Sequence, residues 1–353
     1  MNFLTEQDRA FFEAYRPIPE TKIFSENSVY VHAEPTLDVS IVVPCYNAAG
    51  WLRGCMDALC GQETACRYEI IAVNDGSTDG TLDILNEYAA KQPCLRVISQ
   101  PNGGPGNARN AGTREAKGRY LLFVDTDDSV GANYVETLFK AAEGSHADLA
   151  GCGYRTVTPN GTVLKEVRPS GAEDRSILIG TPWAKLFARG LFEHILWPEG
   201  IHYEDTIFAW LIFPKAERIV TTDGCRYDYL SNSAGITQTT KRQLTALDTV
   251  YMTDKILGCV DEITDPQLLA DQFYVNQLRV KQLEKPLRKR LFEIQSRFTR
   301  EHAPDGLDAI KENRSYASAL LNGSFTEAEI SMLMEKPRKV IRLISSKLGG
   351  KAS

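Results

Sequence analysis

The pattern of apolar and polar residues becomes regular from about residue 38 onward. Short β-branched runs alternate there with segments in which apolar residues recur at helical spacing. The pattern predicts strands over 38–43, 68–73, 95–99 and 119–124, and helices over 50–62 and 81–91. Strands that alternate with helices form βαβ units, in which helices cover both faces of a parallel sheet. The sequence therefore predicts an α/β fold with a mostly parallel sheet.

Outside this alternating region the pattern is less regular. A short helix is predicted near Glu6–Tyr15, inside an N-terminal extension of residues 1–37. After residue 144 the sequence predicts a strand over 147–154, a hairpin over 156–167 and helices over 181–194 and 204–213. From 241 to 353 the pattern is almost wholly helical. We therefore expect an extension (1–37), a main domain (38–240) and a helical region (241–353) suited to dimerisation or membrane association.

Each predicted strand of the alternating region ends in a polar or turn-forming signature. These signatures are "PCYN", "NDGSTD", "PNGGPGNARN" and "DTDD". The carboxyl ends of parallel strands meet at one edge of a sheet, and ligands bind in the crevice beyond that edge. The sequence therefore predicts that these four segments converge on one binding site.

Three carboxylates follow the strand over 119–124, at Asp125, Asp127 and Asp128. Like charges this close repel one another, and burying them is costly. A hard divalent cation such as Mg²⁺ or Mn²⁺ would offset the repulsion, because it prefers oxygen ligands and completes its shell with phosphates. The alternative is an acidic loop in which Asp128 caps the next helix.

Three further positions carry candidate chemistry, each with a structural alternative. Asp75, at a strand end, can accept hydrogen bonds from a nucleobase or ribose, although "GSTD" after it also fits a helix-capping turn. Arg109, in the Gly-rich segment, can brace the acidic loop, bind a phosphate or form a structural ion pair. Asp205 can serve as a carboxylate base, although it and Glu204 also suit a helix N-terminus.

Composition and charge exclude some classes of function. The formal net charge of −6 argues against a nucleic-acid partner. No apolar run approaches the roughly 20 residues of a membrane span, and no secretory signal is visible, so we expect a cytoplasmic protein. The eight cysteines show no C-x-x-C pair and are predicted to be reduced and mostly buried. The basic, amphipathic segment 336–351 suggests peripheral contact with the inner membrane face or packing as a terminal helix.

Taken in order, the motifs over about 38–236 resemble those of the inverting glycosyltransferases of family 2, which have the GT-A fold. The segments that carry this resemblance are "VSIVVPCYNAAGWL", "EIIAVNDGSTDGT", "GPGNARNAG", "YLLFVDTDD", "PWAKLFARGLFE" and "HYEDTIF". One departure follows them: Leu230 stands where the family often has Arg. The resemblance implies a Rossmann-like GT-A domain and a nucleotide-sugar donor, with UDP as the family's usual nucleotide.

The resemblance also implies which residues hold the donor. Pro44, Tyr46 and Asp75 would cradle uracil and ribose. Asp125 would contact the ribose or the metal-bound diphosphate and share the metal with Asp127. Arg109 would support that loop.

For catalysis, the resemblance implies that Asp205 is the general base of a transfer assisted by Mn²⁺ or Mg²⁺. The expected acceptor is a hydroxyl of a glycan or of a polyprenyl-linked sugar, in cell-surface polysaccharide assembly. Two alternatives come from other classes. A non-catalytic sugar-nucleotide-binding or scaffold subunit is disfavoured by the intact Asp125, Asp127 and Asp205. A nucleotidyltransferase is disfavoured because "PCYNAAGWLRG" lacks the expected Gly-rich, basic loop.

Overall fold

The computed structural model describes residues 1–178, 180–232, 243–303 and 314–334. The chain divides into two compact units. The larger unit spans Glu20–Asn232, and the smaller combines residues 1–19 with the described residues from 243 onward. The basic segment 336–351 lies outside the described residues. The predicted boundaries at 37 and 240 stay a prediction.

Nine strands and ten α-helices are seen in the described residues. The strands are β1 (Leu37–Cys45), β2 (Tyr68–Asp75), β3 (Leu95–Gln100), β4 (Gly118–Phe123), β5 (Ser129–Val130), β6 (Leu149–Val157), β7 (Val163–Val167), β8 (Lys185–Ala188) and β9 (Ile219–Leu230). The helices are α1 (Glu6–Glu13), α2 (Leu52–Cys60), α3 (Thr81–Ala89), α4 (Gly104–Glu115), α5 (Tyr134–Ser145), α6 (Asp248–Leu257), α7 (Pro266–Val280), α8 (Lys285–His302), α9 (Arg314–Asn322) and α10 (Phe325–Met334).

All nine strands form one sheet, in the order β3-β2-β1-β4-β8-β6-β9-β5, with β7 beside β6. The first four strands are parallel, as predicted. From β8 onward the sheet is mixed, because β8 runs antiparallel to both β4 and β6. The β1 residues Ile41, Val42 and Val43 are fully buried, which explains the apolar run at the centre of this strand. The α/β prediction is therefore confirmed, and the predicted hairpin is the antiparallel pair β6–β7.

The prediction of a helix over 181–194 is wrong. Residues Lys185–Ala188 form β8, and only Arg189–Phe192 make a short 3₁₀ turn. Ala184 has a left-handed backbone (φ 58°), which no continuing helix tolerates. The segment fills the gap between β4 and β6, so tertiary packing overrides the helical pattern of its apolar residues.

The segment predicted as a helix over 204–213 is helical but irregular. A 3₁₀ turn (Glu204–Thr206) leads into a π-type turn (Phe208–Ile212) and a second 3₁₀ turn (Phe213–Lys215). Pro214 lacks a backbone N–H and therefore cannot continue a regular α-helix. The segment brings Glu204 and Asp205 to its N-terminal end.

The smaller unit is helical, as predicted. Its N-terminal helix α1 is joined to α8 through Asp8, which is fully buried and accepts hydrogen bonds from Arg290 (2.6 Å) and Arg297 (3.0 Å). Burial alone would raise the pKa of Asp8, but these bonds and two more from the backbone N–H and hydroxyl of Thr5 lower it overall. None of the described helices is long and apolar enough to cross a membrane.

Candidate active site

The ends of β1, β2, β3 and β4 converge as predicted. Asp75 pairs with Gln100 across β2 and β3, and Cys45 pairs with Asn74 across β1 and β2. The turns after β1 and β2 are then joined side by side, because the Asn47 side chain accepts a hydrogen bond from the Thr78 backbone N–H at 2.8 Å. These turns therefore lie side by side at the carboxyl edge of the sheet.

Asp75 organises the Gly-rich segment. Its carboxylate accepts hydrogen bonds from the backbone N–H groups of Gly103 (3.0 Å) and Gly104 (2.8 Å) and from Gln100 Nε2 (2.7 Å). Asp75 is 2% exposed, so most of its acceptor capacity is used by the protein itself. The structure thus shows Asp75 fixing the start of α4, and a contact from Asp75 to a nucleobase or ribose stays a prediction.

The two predicted residues of β1 and its turn lie at the same edge of the sheet. Pro44 pairs with Val73 of β2 and is partly buried. Tyr46 follows the strand and is 52% exposed, which leaves its ring free to cover a flat ligand. Their contact with uracil stays a prediction.

The three carboxylates after β4 have different surroundings. Asp125 accepts a hydrogen bond from Arg109 Nη2 at 2.9 Å. Asp128 is buried and accepts from Tyr227 Oη (2.6 Å) and the Leu230 backbone N–H (2.8 Å) of β9. Asp128 therefore fastens the loop to β9, and the alternative in which it caps the next helix is wrong. Asp125 and Asp127 are only partly buried, and their contact with a metal ion or substrate stays a prediction.

The surroundings of Asp127 fit a cation. Burial, together with the charge of Asp125, raises the pKa of Asp127. A divalent ion shared by Asp125 and Asp127 would remove this repulsion with the oxygen ligands that Mg²⁺ and Mn²⁺ prefer. In the described part of the chain, no group of three or more His, Cys, Asp or Glu side chains is arranged to hold a metal alone. The remaining ligands would have to come from water and substrate phosphates.

Arg109 connects the acidic loop to the segment that carries the predicted base. Its Nη1 donates to Glu204 Oε1 at 2.6 Å while its Nη2 donates to Asp125. Its guanidinium also lies over the Trp197 ring, 4.9 Å from the centroid. Burial alone would lower the pKa of Arg109, but Asp125 and Glu204 raise it, so the cation is held between two carboxylates.

Asp205 follows Glu204 in the same 3₁₀ turn. The residue before the turn, Tyr203, has a left-handed backbone (φ 64°). Such a conformation is strained for a side chain of this size and is typical of functional sites. Asp205 is thus adjacent in sequence to Glu204, which is connected to the acidic loop through Arg109.

Two residues of this region were not found by sequence reasoning. The Asn110 side chain bonds both the carbonyl (2.9 Å) and the N–H (2.8 Å) of Trp197, which holds this ring beneath Arg109. Lys185 is 1% exposed and lies beside Trp183, whose ring stacks on Tyr227 and Tyr229. The available signal for Lys185 was a lysine within the mostly apolar run "PWAKLFARGLF", which also contains Arg189.

Comparison with known proteins shows which family the chain belongs to. The family described as glycosyl transferase family 2 matches residues 40–198. Glycosyltransferase GlyG of Streptococcus pneumoniae is 30% identical over 262 residues, which cover 68% of this chain and 86% of GlyG. The chain belongs to glycosyltransferase family 2. This membership confirms the resemblance read from the ordered motifs.

One further relative and one solved structure are informative. A poly(ribitol-phosphate) β-glucosyltransferase of Bacillus spizizenii is 33% identical over 209 residues, 56% of this chain and 33% of that enzyme. The crystal structure of Staphylococcus aureus TarS 1–349 in complex with UDP-GlcNAc matches with a TM-score of 0.62 and 18% identity. It covers 84% of this chain and 91% of the TarS chain, which confirms the GT-A fold with a helical C-terminal region. The chain spans less than two thirds of the length of several relatives, 63% of one and 33% of another.

Proposed function

We propose that this family 2 glycosyltransferase moves a sugar from a UDP-sugar to a hydroxyl of a glycan or lipid-linked acceptor, with inversion and with Mn²⁺ or Mg²⁺. The observation that carries the proposal is the Arg109 bridge between Asp125 and Glu204, because it ties the acidic loop to the turn bearing Asp205. The likeness to TarS bound to UDP-GlcNAc supports a UDP donor. The likeness to a poly(ribitol-phosphate) glucosyltransferase supports a role in surface polysaccharide assembly.

The donor is held by residues at the carboxyl edge of the sheet. Tyr46 and Pro44 flank the uracil, and Asp75 keeps the Gly-rich segment in place beside the ribose. Asp125 and Asp127 would hold the metal ion, and the hydrogen bond from Arg109 keeps Asp125 oriented. When bound, the metal would neutralise charge on the departing diphosphate.

The transfer step depends on Asp205. Its carboxylate takes the proton of the acceptor hydroxyl while the hydroxyl oxygen attacks the anomeric carbon. The new bond forms on the face opposite to the leaving diphosphate, so the anomeric configuration inverts. General base catalysis of this kind contributes on the order of 10²–10⁴-fold.

Donor binding can be tested by thermal shift with UDP and UDP-sugars, each with Mn²⁺ and with EDTA. A ligand at about 100 times its Kd adds roughly 2.7 kcal/mol of stability to the folded state. We expect a shift that requires Mn²⁺ and that Asp127→Ala abolishes. Asp83→Ala, which removes an exposed carboxylate on α3, should keep the full shift. Equal shifts with Mn²⁺ and with EDTA in the unaltered protein would refute the metal role.

The competing proposal is a non-catalytic sugar-nucleotide-binding or scaffold subunit. It predicts the same metal-dependent shift but no release of UDP from the donor in the presence of acceptor glycans. A turnover assay therefore separates the two. Dimer formation, contact with the inner membrane face and a cytoplasmic location stay predictions.

A further inference from the structure

Residues at the end of β9 contact all three carboxylate residues of the acidic loop, which runs over 124–128 between β4 and β5. Tyr227 Oη accepts a hydrogen bond from the Asp125 backbone N–H at 3.3 Å and donates one to Asp128 Oδ2 at 2.6 Å. Asn232, two residues beyond β9, donates from Nδ2 to Asp127 Oδ2 at 3.3 Å. The positions of all three carboxylates therefore depend on contacts from this side of the loop.

The Tyr227 hydroxyl is held in place by the packing of its ring. The residue is fully buried, and its ring stacks on Trp183 with centroids 5.0 Å apart and planes 11° apart. The ring of Tyr134 lies 6.1 Å from it. A ring packed this closely has little room to move, so its hydroxyl stays where both loop partners can reach it. A hydroxyl can donate and accept at once, and this one links the first carboxylate residue of the loop to the last.

Asn232 contacts the loop from a turn that is itself fixed. The Ser231 backbone N–H donates to the Val157 carbonyl at 2.7 Å, and the Asn232 backbone N–H donates to the Leu230 carbonyl at 2.9 Å. The amide of Asn232 is a neutral donor, so it can orient the Asp127 carboxylate without cancelling the charge that a cation would need. This differs from Asp125, whose partner Arg109 is a cation.

We propose that Tyr227 and Asn232 are positioning residues that set the Asp125 and Asp127 carboxylates for the metal ion before it binds. Two carboxylates in an unheld loop would turn apart into water, and ordering them as the ion arrives would reduce its affinity. Partners that orient metal ligands in this way contribute on the order of 10- to 100-fold to metal affinity. This inference rests on the metal role of Asp125 and Asp127 in the proposed function.

The test is the Kd for Mn²⁺ of the full chain, measured from the electron paramagnetic resonance signal of free Mn²⁺ with UDP in fixed excess. The Mn²⁺ bound by UDP alone is subtracted. Tyr227→Phe keeps the ring and removes the hydroxyl, and we expect it to raise the Kd by about tenfold or more. Asn232→Ala should raise it by about three- to tenfold, the effect of one hydrogen bond.

Two control variants separate positioning from general damage to the fold. Tyr154 pairs with Tyr227 across β6 and β9, and its hydroxyl accepts a hydrogen bond from Lys165 Nζ at 3.1 Å. The amide of Asn133, an exposed residue, donates to the Gly224 carbonyl at 2.9 Å. Tyr154→Phe and Asn133→Ala should therefore leave the Kd for Mn²⁺ unchanged. Each variant is measured below its melting transition, where a loss of stability alone does not change the Kd of the folded protein.

The outcomes distinguish this inference from the proposed function. An unchanged Kd for Mn²⁺ in Tyr227→Phe and Asn232→Ala overturns the positioning role, and so does an equal loss in the two controls. Asn232 is only partly buried, so Asn232→Ala should fold even if Tyr227→Phe does not, and its Kd then decides. If the unaltered protein binds no Mn²⁺ beyond that held by UDP, the metal role in the proposed function is wrong and this inference falls with it.

Discussion

Replacement of Arg109 by Met tests the bridge at the centre of the site. Arg109 is almost fully buried, and its two partners differ in exposure: 12% for the Glu204 side chain and 30% for Asp125. Removing one partner of a buried ion pair costs about 3–5 kcal/mol, because the remaining charge is left uncompensated. The partial exposure of Asp125 reduces this cost, whereas loss of the contact with Trp197 adds about 0.5–2 kcal/mol. We expect Arg109→Met to destabilise the larger unit by about 3–4 kcal/mol.

The assay is equilibrium unfolding in urea, followed by tryptophan fluorescence. Arg53→Met is the matched control, because Arg53 forms an ion pair with Glu87 at 2.7 Å but lies on the surface. Solvent screens such exposed pairs, so this variant should unfold at about the same urea concentration as the unaltered protein. Arg109→Lys should fall between the two, because one ammonium group cannot reach both carboxylates in the forked geometry. If Arg109→Met costs no more than Arg53→Met, the bridge does not stabilise the site as argued.

Three more perturbations have defined outcomes. Gly106→Ala should destabilise the protein by about 1–3 kcal/mol, because the added Cβ would lie 2.1 Å from the Pro198 carbonyl oxygen. Gly54→Ala is the control, because nothing lies within 4 Å of the added Cβ, and thermal unfolding of the two variants should show a loss of stability only for Gly106→Ala. Because burial lowers the folded pKa of Lys185 to about 7 from 10.5, the unfolded chain binds this proton at higher pH, and the contribution of Lys185 to stability should rise between about pH 7 and 10. Lys185→Met should lose this rise, and parallel curves for both proteins would contradict it. Asn110→Ala should weaken UDP binding by loosening Trp197 beneath Arg109, and an unchanged Kd by calorimetry would show that this clamp is dispensable.

The elements that the sequence predicted well are those in which local pattern and tertiary packing agree. The strands β1 to β4 contain short runs of apolar, often β-branched residues that end at turn residues, so their positions and the convergence of their ends followed from the sequence pattern. The prediction of a helix over 181–194 failed because the apolar residues there recur at helical spacing, whereas in the folded sheet this segment forms a strand between β4 and β6. A single sequence does not show which segments lie next to each other in the sheet, so this strand position could not be predicted.

Some contacts of the candidate site could be predicted from the sequence, and others could not. Asp125 and Arg109 were expected to interact, and they do. That Asp128 bonds to β9, and that Asp75 bonds to the Gly-rich segment, could not be read from spacing, because the partners are more than 25 residues away. Lys185 was missed because a lysine in an apolar run looks like a surface residue until its burial is known.

Asp205 is proposed to be the base of a metal-dependent transfer. The most direct test is UDP release from a UDP-sugar in the presence of Mn²⁺ and acceptor glycans, compared between the unaltered protein and Asp205→Asn. We expect the variant to keep its Kd for UDP and to lose turnover by about 10²-fold or more. Turnover by Asp205→Asn equal to that of the unaltered protein would contradict it.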